Sequence, residues 1–204
     1  MSSDNKGIMT HSGAMVSPWR GVPTLEDIAL SLSRLPRFAG HTRRPWSVLQ
    51  HSFVVERMAQ LDGESSQVRL VALMHDWHES ITGDVPSPMK GYDMADLQDL
   101  LDLRIYDAYF PGASAGARLR LLDKVHALDK RALLAEAVVV GPPGINMSNV
   151  GELFGGEPIA RDCTSVRTVE QFIGNWPDRL VLLFEELTAN IETGGNTREE
   201  KDNG

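Results

Sequence analysis

LVALMHDWHESITGDVPSP, residues 70–88, places His75 and Asp76 side by side at the end of an apolar run, with Glu79 one turn on and Asp84 further along. The apolar spacing predicts one amphipathic helix from about Ser66 to Thr82, with Gly83 at the position of a left-handed cap and DVPSPMK as the loop beyond it. Two adjacent side chains that can both bind a metal, followed at helical spacing by a carboxylate that can handle protons, suit metal-assisted hydrolysis. A doublet supplies only two ligands, so the remainder must come from polar residues on other helix faces that point into the same core. His51 and Asp129 are the candidates.

Working outward, the rest of the chain reads as helical. Thr24 with Asp27 three residues later resembles a capping box, and Leu25, Ile28, Ala29, Leu32 and Leu35 form a stripe ended by Pro36. RFAGHTRRPW (37–46) is a connection, after which Ser47 caps a second helix whose stripe runs Val48, His51, Val54, Val55 and Met58. A fourth helix is expected from about Asp93 to Tyr109, stopped by Pro111 and Gly112, and a fifth from about Ala115 to Val140. The fifth sets Leu122, Val125, Asp129, Ala132, Leu133 and Glu136 at intervals of three or four, so an acid sits on an apolar stripe. Residues 141–161 are too rich in glycine and proline for a long regular element and read as a surface arm or lid. A final helix follows Trp176 and Pro177, residues 1–20 read as a flexible lead-in, and the charged stretch from Thr193 as a frayed tail. No internal repeat or run of alternating strands is evident, which gives an all-α fold in one domain over residues 1–204.

With 28 acidic against 20 basic residues and a formal net charge of -8, the chain repels polyanions, so duplex nucleic acid is not an expected partner. The lone cysteine, Cys163, rules out an intramolecular disulfide framework and fits a reducing compartment. No apolar run approaches membrane-spanning length, and the polar start MSSDNKGIMTHSG lacks a signal-peptide core, so a soluble cytoplasmic protein is expected.

Each candidate residue also has a plainer reading. His51 alone could be a core histidine with satisfied nitrogens, an HD dipeptide arises by chance, Asp129 could pair with a buried arginine, and Glu79 could be a solvated helix glutamate. The combination changes the balance: a histidine, a His-Asp pair and an aspartate all face inward from three helices, and one divalent cation compensates their burial together. Arg37 and Lys90 would neutralise phosphate charge, while Phe38 and Pro88 could sandwich a base. Asp84 could accept a hydrogen bond from a sugar hydroxyl, serve as a second acid at the site or bind an additional metal. Trp19 and Trp46 read as packing residues, and His41 and His78 have no assigned role.

The pattern His51, His75-Asp76, Asp129 resembles the H…HD…D signature of the HD-domain phosphohydrolases. Arg37-Phe38, His75-Asp76-Trp77-His78-Glu79 and Gly83-Asp84-Val85-Pro86-Ser87-Pro88-Met89-Lys90 are similar to the motifs of the small deoxynucleotide hydrolases: bacterial 5'-deoxynucleotidases of the YfbR type and phage dATP triphosphohydrolases of the DatZ type. The likeness covers about Thr24 to Glu136. RFAGHTRRPWSVLQHS is especially like the phage branch, although Phe38 stands where some relatives have Trp and residues 141–161 have no counterpart. The resemblance implies an HD-domain helical bundle and one divalent transition metal (Zn, Co, Mn, Fe or Ni) on His51, His75, Asp76 and Asp129, with the possibility of a further ion. It implies Glu79 and Asp84 in catalysis, and Arg37, Phe38, Asp84, Pro88 and Lys90 around a nucleotide. The implied substrate is dATP, or alternatively a deoxynucleoside monophosphate, and the implied assembly is a homo-oligomer in the cytoplasm of a bacterium or a phage-infected host. A catalytically silent, metal-stabilised interaction module is the reading from another class.

Overall fold

In the computed structural model, which describes residues 7–86 and 89–194, the chain folds as an all-α bundle. The helices are α1 (Leu25–Arg34), α2 (Val48–Leu61), α3 (Ser66–Met74), α4 (Glu79–Thr82), α5 (Tyr92–Tyr109), α6 (Ala115–Val139), α7 (Val150–Phe154), α8 (Ala160–Glu170) and α9 (Trp176–Glu192). Their starts follow the capping chemistry of the sequence. Thr24 and Asp27 close a capping box on α1, Ser47 and Gln50 close another on α2, and Ser65 and Ser114 cap α3 and α6.

The centre of the bundle is α3. Val68, Leu70, Val71, Ala72, Leu73 and Met74 are all at most 2% exposed, so the C-terminal half of this helix, Leu70 to Met74, is apolar all round, and the helix packs against α2, α6 and α9. A polar group placed at its end therefore enters the core. Trp77, fully buried just beyond α3, packs edge-on against Tyr109, and Trp46 joins the same core.

The structure departs from the sequence reading in five places. The predicted helix from Ser66 to Thr82 is interrupted: α3 ends at Met74, residues 75–78 form tight turns, and α4 begins at Glu79. Residues 7–20 are not a flexible lead-in but a hairpin, in which β1 (Ile8–Met9) pairs antiparallel with β2 (Met15–Val16). It is tied to α1 by Ser12, whose backbone N–H and hydroxyl donate to the Asp27 carboxylate at 2.8 and 2.6 Å. The 141–161 stretch contains α7 and packs Val150 and Phe154 on Leu134 and Ala137 of α6. Arg43 holds it there, donating to the carbonyls of Val138 and Ile145 at 2.9 and 2.7 Å. Helix α8 was not anticipated, and Trp19, read as a packing residue, is 73% exposed. Among the described residues, no helix is long and apolar enough to cross a membrane.

Candidate metal centre

The interruption after Met74 shapes the site. His75 turns its Nδ1 onto the carbonyl of Ala72 at 2.8 Å, the acceptor that the Asp76 N–H would take in a continuing α-helix. The chain then tightens: Trp77, Glu79, Ser80 and Ile81 each donate to the carbonyl three residues back. At three residues per turn, positions i and i+3 eclipse, so Asp76 and Glu79 stack one above the other more closely than α-helical geometry would place them. His51 enters from the second turn of α2 and is fully buried, and Asp129 enters from the middle of α6 with its side chain 39% exposed. Asp129 is thus the side of the cluster that opens to solvent.

Four donor atoms converge there. His51 Nε2 lies 3.2 Å from His75 Nε2, 3.5 Å from Asp76 Oδ2 and 3.0 Å from Asp129 Oδ1. His75 Nε2 lies 3.2 Å from Asp76 Oδ2 and 3.9 Å from Asp129 Oδ1. A tetrahedron with metal-ligand arms of about 2.1 Å has edges of about 3.4 Å, a spacing that His51, His75 and Asp76 meet among themselves, with Asp129 reaching the two imidazoles from the solvent side.

The hydrogen bonds on the far side of each ring decide the chemistry of the donors. A backbone carbonyl only accepts, so His75 Nδ1 carries a hydrogen, and the neutral ring presents a lone pair at Nε2. His51 Nδ1 faces Glu136 Oε1 at 2.9 Å, and an ionised carboxylate imposes the same tautomer. Two imidazole lone pairs and two carboxylates then face one another at contact distance, an arrangement that requires a cation or protons between them. Without a metal, protons fill that role. Burial and Arg37 act against a charged ring, yet Glu136 and Asp129 push His51 up to about 10. Burial likewise opposes a charge on His75, but Asp76 and Asp129 raise it. Burial disfavours the ionised form of Asp76, but His75, His51 and Arg37 hold it well below the usual carboxylate range. Glu136 was not assigned a role from the sequence, although an acid inside ALLAEAVVV, seven residues after Asp129 on the same stripe, was the available signal.

The other candidates sit around this centre at different ranges. Glu79, 2% exposed, is pushed up to about 8, chiefly by burial and then by the charges of Asp76 and Asp84. Asp84 is half-buried and raised by burial, with Arg37 and Lys90 acting against the shift. Arg37 points inward, 3.8 Å from Asp76 and 3.6 Å from Glu136. What turns it inward is a tight turn over residues 37–40 in which Phe38 and Ala39 both take left-handed backbone angles, φ 55° and 49°, a conformation costly for residues with a Cβ. Phe38 is directed to the other side, packed on Leu134, Ala137 and Val150, with the Arg37 guanidinium 5.9 Å from its ring centre. Lys90 is exposed, and Pro88 lies outside the described residues. His78, given no role from the sequence, is buried with Nδ1 2.9 Å from Asp102 Oδ1 on α5. Buried side-chain atoms without a hydrogen-bond partner gather in this region: Arg37 Nε, His78 Nε2, Glu79 Oε2 and Glu136 Oε2.

No family model matches the chain. Over 87 residues it is 33% identical to the uncharacterized protein YfdR of Escherichia coli (strain K12), a match that covers 42% of this chain and 46% of that protein. The matched stretch therefore spans less than half of that relative.

Proposed function

We propose that the chain is an HD-type, metal-dependent phosphohydrolase that cleaves deoxynucleotides at the α-phosphorus, with dATP as the favoured substrate and deoxyadenosine and triphosphate as products. The observation that carries this reading is the pair of imidazole lone pairs, locked by Ala72 O and Glu136, facing Asp76 and Asp129 beside the buried carboxyl of Glu79, which burial and the charge of Asp76 push upward. The motif likeness of Arg37-Phe38, HDWHE and GDVPSPMK supplies the substrate class, and the RFAGHT segment supplies the preference for a triphosphate.

A divalent ion on His51, His75, Asp76 and Asp129 would polarise a phosphoryl oxygen and lower the pKa of a water molecule. The chain's own groups do the rest. Arg37 is positioned to pair with phosphate oxygens, exchanging its present carboxylate neighbours for the substrate's charge. As the water oxygen bonds to the α-phosphorus and the bond to the 5' oxygen breaks, Glu79 gives its proton to the departing 5' oxygen and regains one from the attacking water. A carboxyl poised near neutrality suits both transfers. Asp84 would accept a hydrogen bond from the sugar, and the nucleotide would approach by the flank at Asp129, whose side chain is 39% exposed.

Incubation of the purified protein with each dNTP and dNMP plus Mn, Co or Zn, followed by chromatography of the products, tests the reading. Triphosphate released together with deoxyadenosine supports it. Activity confined to dAMP makes the protein a 5'-deoxynucleotidase, and no turnover of any nucleotide makes it a silent, metal-stabilised module.

A further inference from the structure

Asp76, His78 and Glu79 form a second cluster of ligand atoms next to the first. Each can bring one donor to within 4.8 Å of the other two. Acidic clusters are common, but two features here point to a ligand. His78 and Glu79 are only 7% and 2% exposed, and each has a polar atom, His78 Nε2 and Glu79 Oε2, without a hydrogen-bond partner. Buried polar atoms are ordinarily satisfied, and two orphans on adjacent residues of one ligand cluster mark a place where something else completes the bonding. The His78 ring is also prepared for a metal. Its Nδ1 is engaged by Asp102 at 2.9 Å, which leaves Nε2 as the nitrogen available to bind, the carboxylate–imidazole–metal arrangement that fixes both the tautomer and the ring plane of histidine ligands.

We propose that Asp76, His78 and Glu79 constitute a second, weaker and inhibitory seat for a divalent transition metal, sharing the Asp76 carboxylate with the first site. This inference rests on the proposed function, because inhibition follows from the role of Glu79. A carboxylate that ligates a cation gives up its proton and its lone pair, and Glu79 is the group assigned to carry the proton. The second seat has three protein ligands, one of them shared, against four for the first, so it fills only at higher metal concentration. The dependence of rate on metal rises as the first site fills and falls as the second does.

The test reads stoichiometry as well as activity. The full-length protein is dialysed against increasing Zn or Co, with no nucleotide present, and its metal content is measured by mass spectrometry. Wild type is expected to take up two ions, the second at least ten-fold more weakly. His78→Gln is expected to stop at one ion and to lose the inhibition at high metal. Asp102→Asn, which keeps the imidazole but weakens its orientation, is expected to bind the second ion less tightly, so the test does not depend on one variant's folding. Saturation of wild type at one ion, or an unchanged second ion in both variants, overturns the proposal and leaves the first site standing. Failure of wild type to bind any ion overturns the proposed function as well.

Discussion

Glu136→Ala should weaken binding of the first metal ion by about 10- to 100-fold, which corresponds to about 1.4–2.7 kcal/mol. The magnitude follows from what the carboxylate does. It is fully buried, its Oε1 accepts the His51 Nδ1 hydrogen at 2.9 Å, and its Oε2 lies 3.6 Å from Arg37. Removing it leaves a buried N–H without an acceptor and frees His51 to move its hydrogen to Nε2, the atom the metal needs. Arg37 would then lean wholly on Asp76 and compete with the ion for that ligand. Glu136→Gln separates the two effects, because its amide oxygen can still accept from Nδ1 while the charge is gone, so its loss should fall at the lower end. Zinc competition against a chromophoric chelator reads both affinities, with circular dichroism and thermal melts of the metal-free variants confirming that each folds. Affinities within two-fold of wild type in both variants would show that the His51 tautomer is not set by Glu136. The equivalent service to His75 comes from the backbone carbonyl of Ala72, which no substitution can remove.

Glu79→Gln should lower kcat by about 10²–10⁴-fold while metal content at the first site stays at one equivalent. If Glu79 donates the leaving-group proton, the wild-type rate should fall as pH rises through about 8, or somewhat lower once a cation on Asp76 offsets that repulsion; a flat profile between pH 6 and 9 would remove Glu79 from the mechanism. Metal affinity itself should fall with acidification, by about ten-fold per pH unit for each proton displaced, because His51, pushed up to about 10 in the metal-free site, must be deprotonated to ligate. Competition titrations at pH 6 and pH 8 that agree would contradict this. Arg37→Ala should raise the KM for nucleotide, more for a triphosphate than for a monophosphate, without releasing the metal, because the guanidinium is a charge neighbour of Asp76 and not a ligand. Loss of metal on that substitution would place Arg37 among the groups that hold the site together.

The residues of the first site were legible because each breaks an apolar stripe: His51, the His75-Asp76 pair and Asp129 all stand where the period calls for a hydrophobic side chain, and the structure brings them within contact distance. Glu136 obeys the same rule and was passed over, since its partner, His51, is 85 residues away in the chain. His78 escaped for a similar reason: its meaning depends on Asp102, 24 residues away across the fold. The break after Met74 was hidden because the apolar period runs on through Trp77 and Ile81, while the event that ends the helix is a side-chain contact from His75 to Ala72 O. Helix α8 was missed because its buried stripe is thin, with Cys163, Val166 and Val169 beside buried Asp162 and Ser165. Asp162 tolerates that position because Arg131 of α6 donates two hydrogen bonds to it at 2.9 and 2.8 Å, a long-range pairing that no local pattern announces.

The account depends above all on His51, His75, Asp76 and Asp129 sharing one ion, and anomalous diffraction from crystals of the full chain equilibrated with a low concentration of Zn or Co examines that directly. The predicted result is one anomalous peak at about 2.0–2.2 Å from His51 Nε2, His75 Nε2, Asp76 Oδ2 and Asp129 Oδ1. Crystals that show no peak there, or with Arg37 still paired to Asp76 and the ion bound elsewhere, would contradict it.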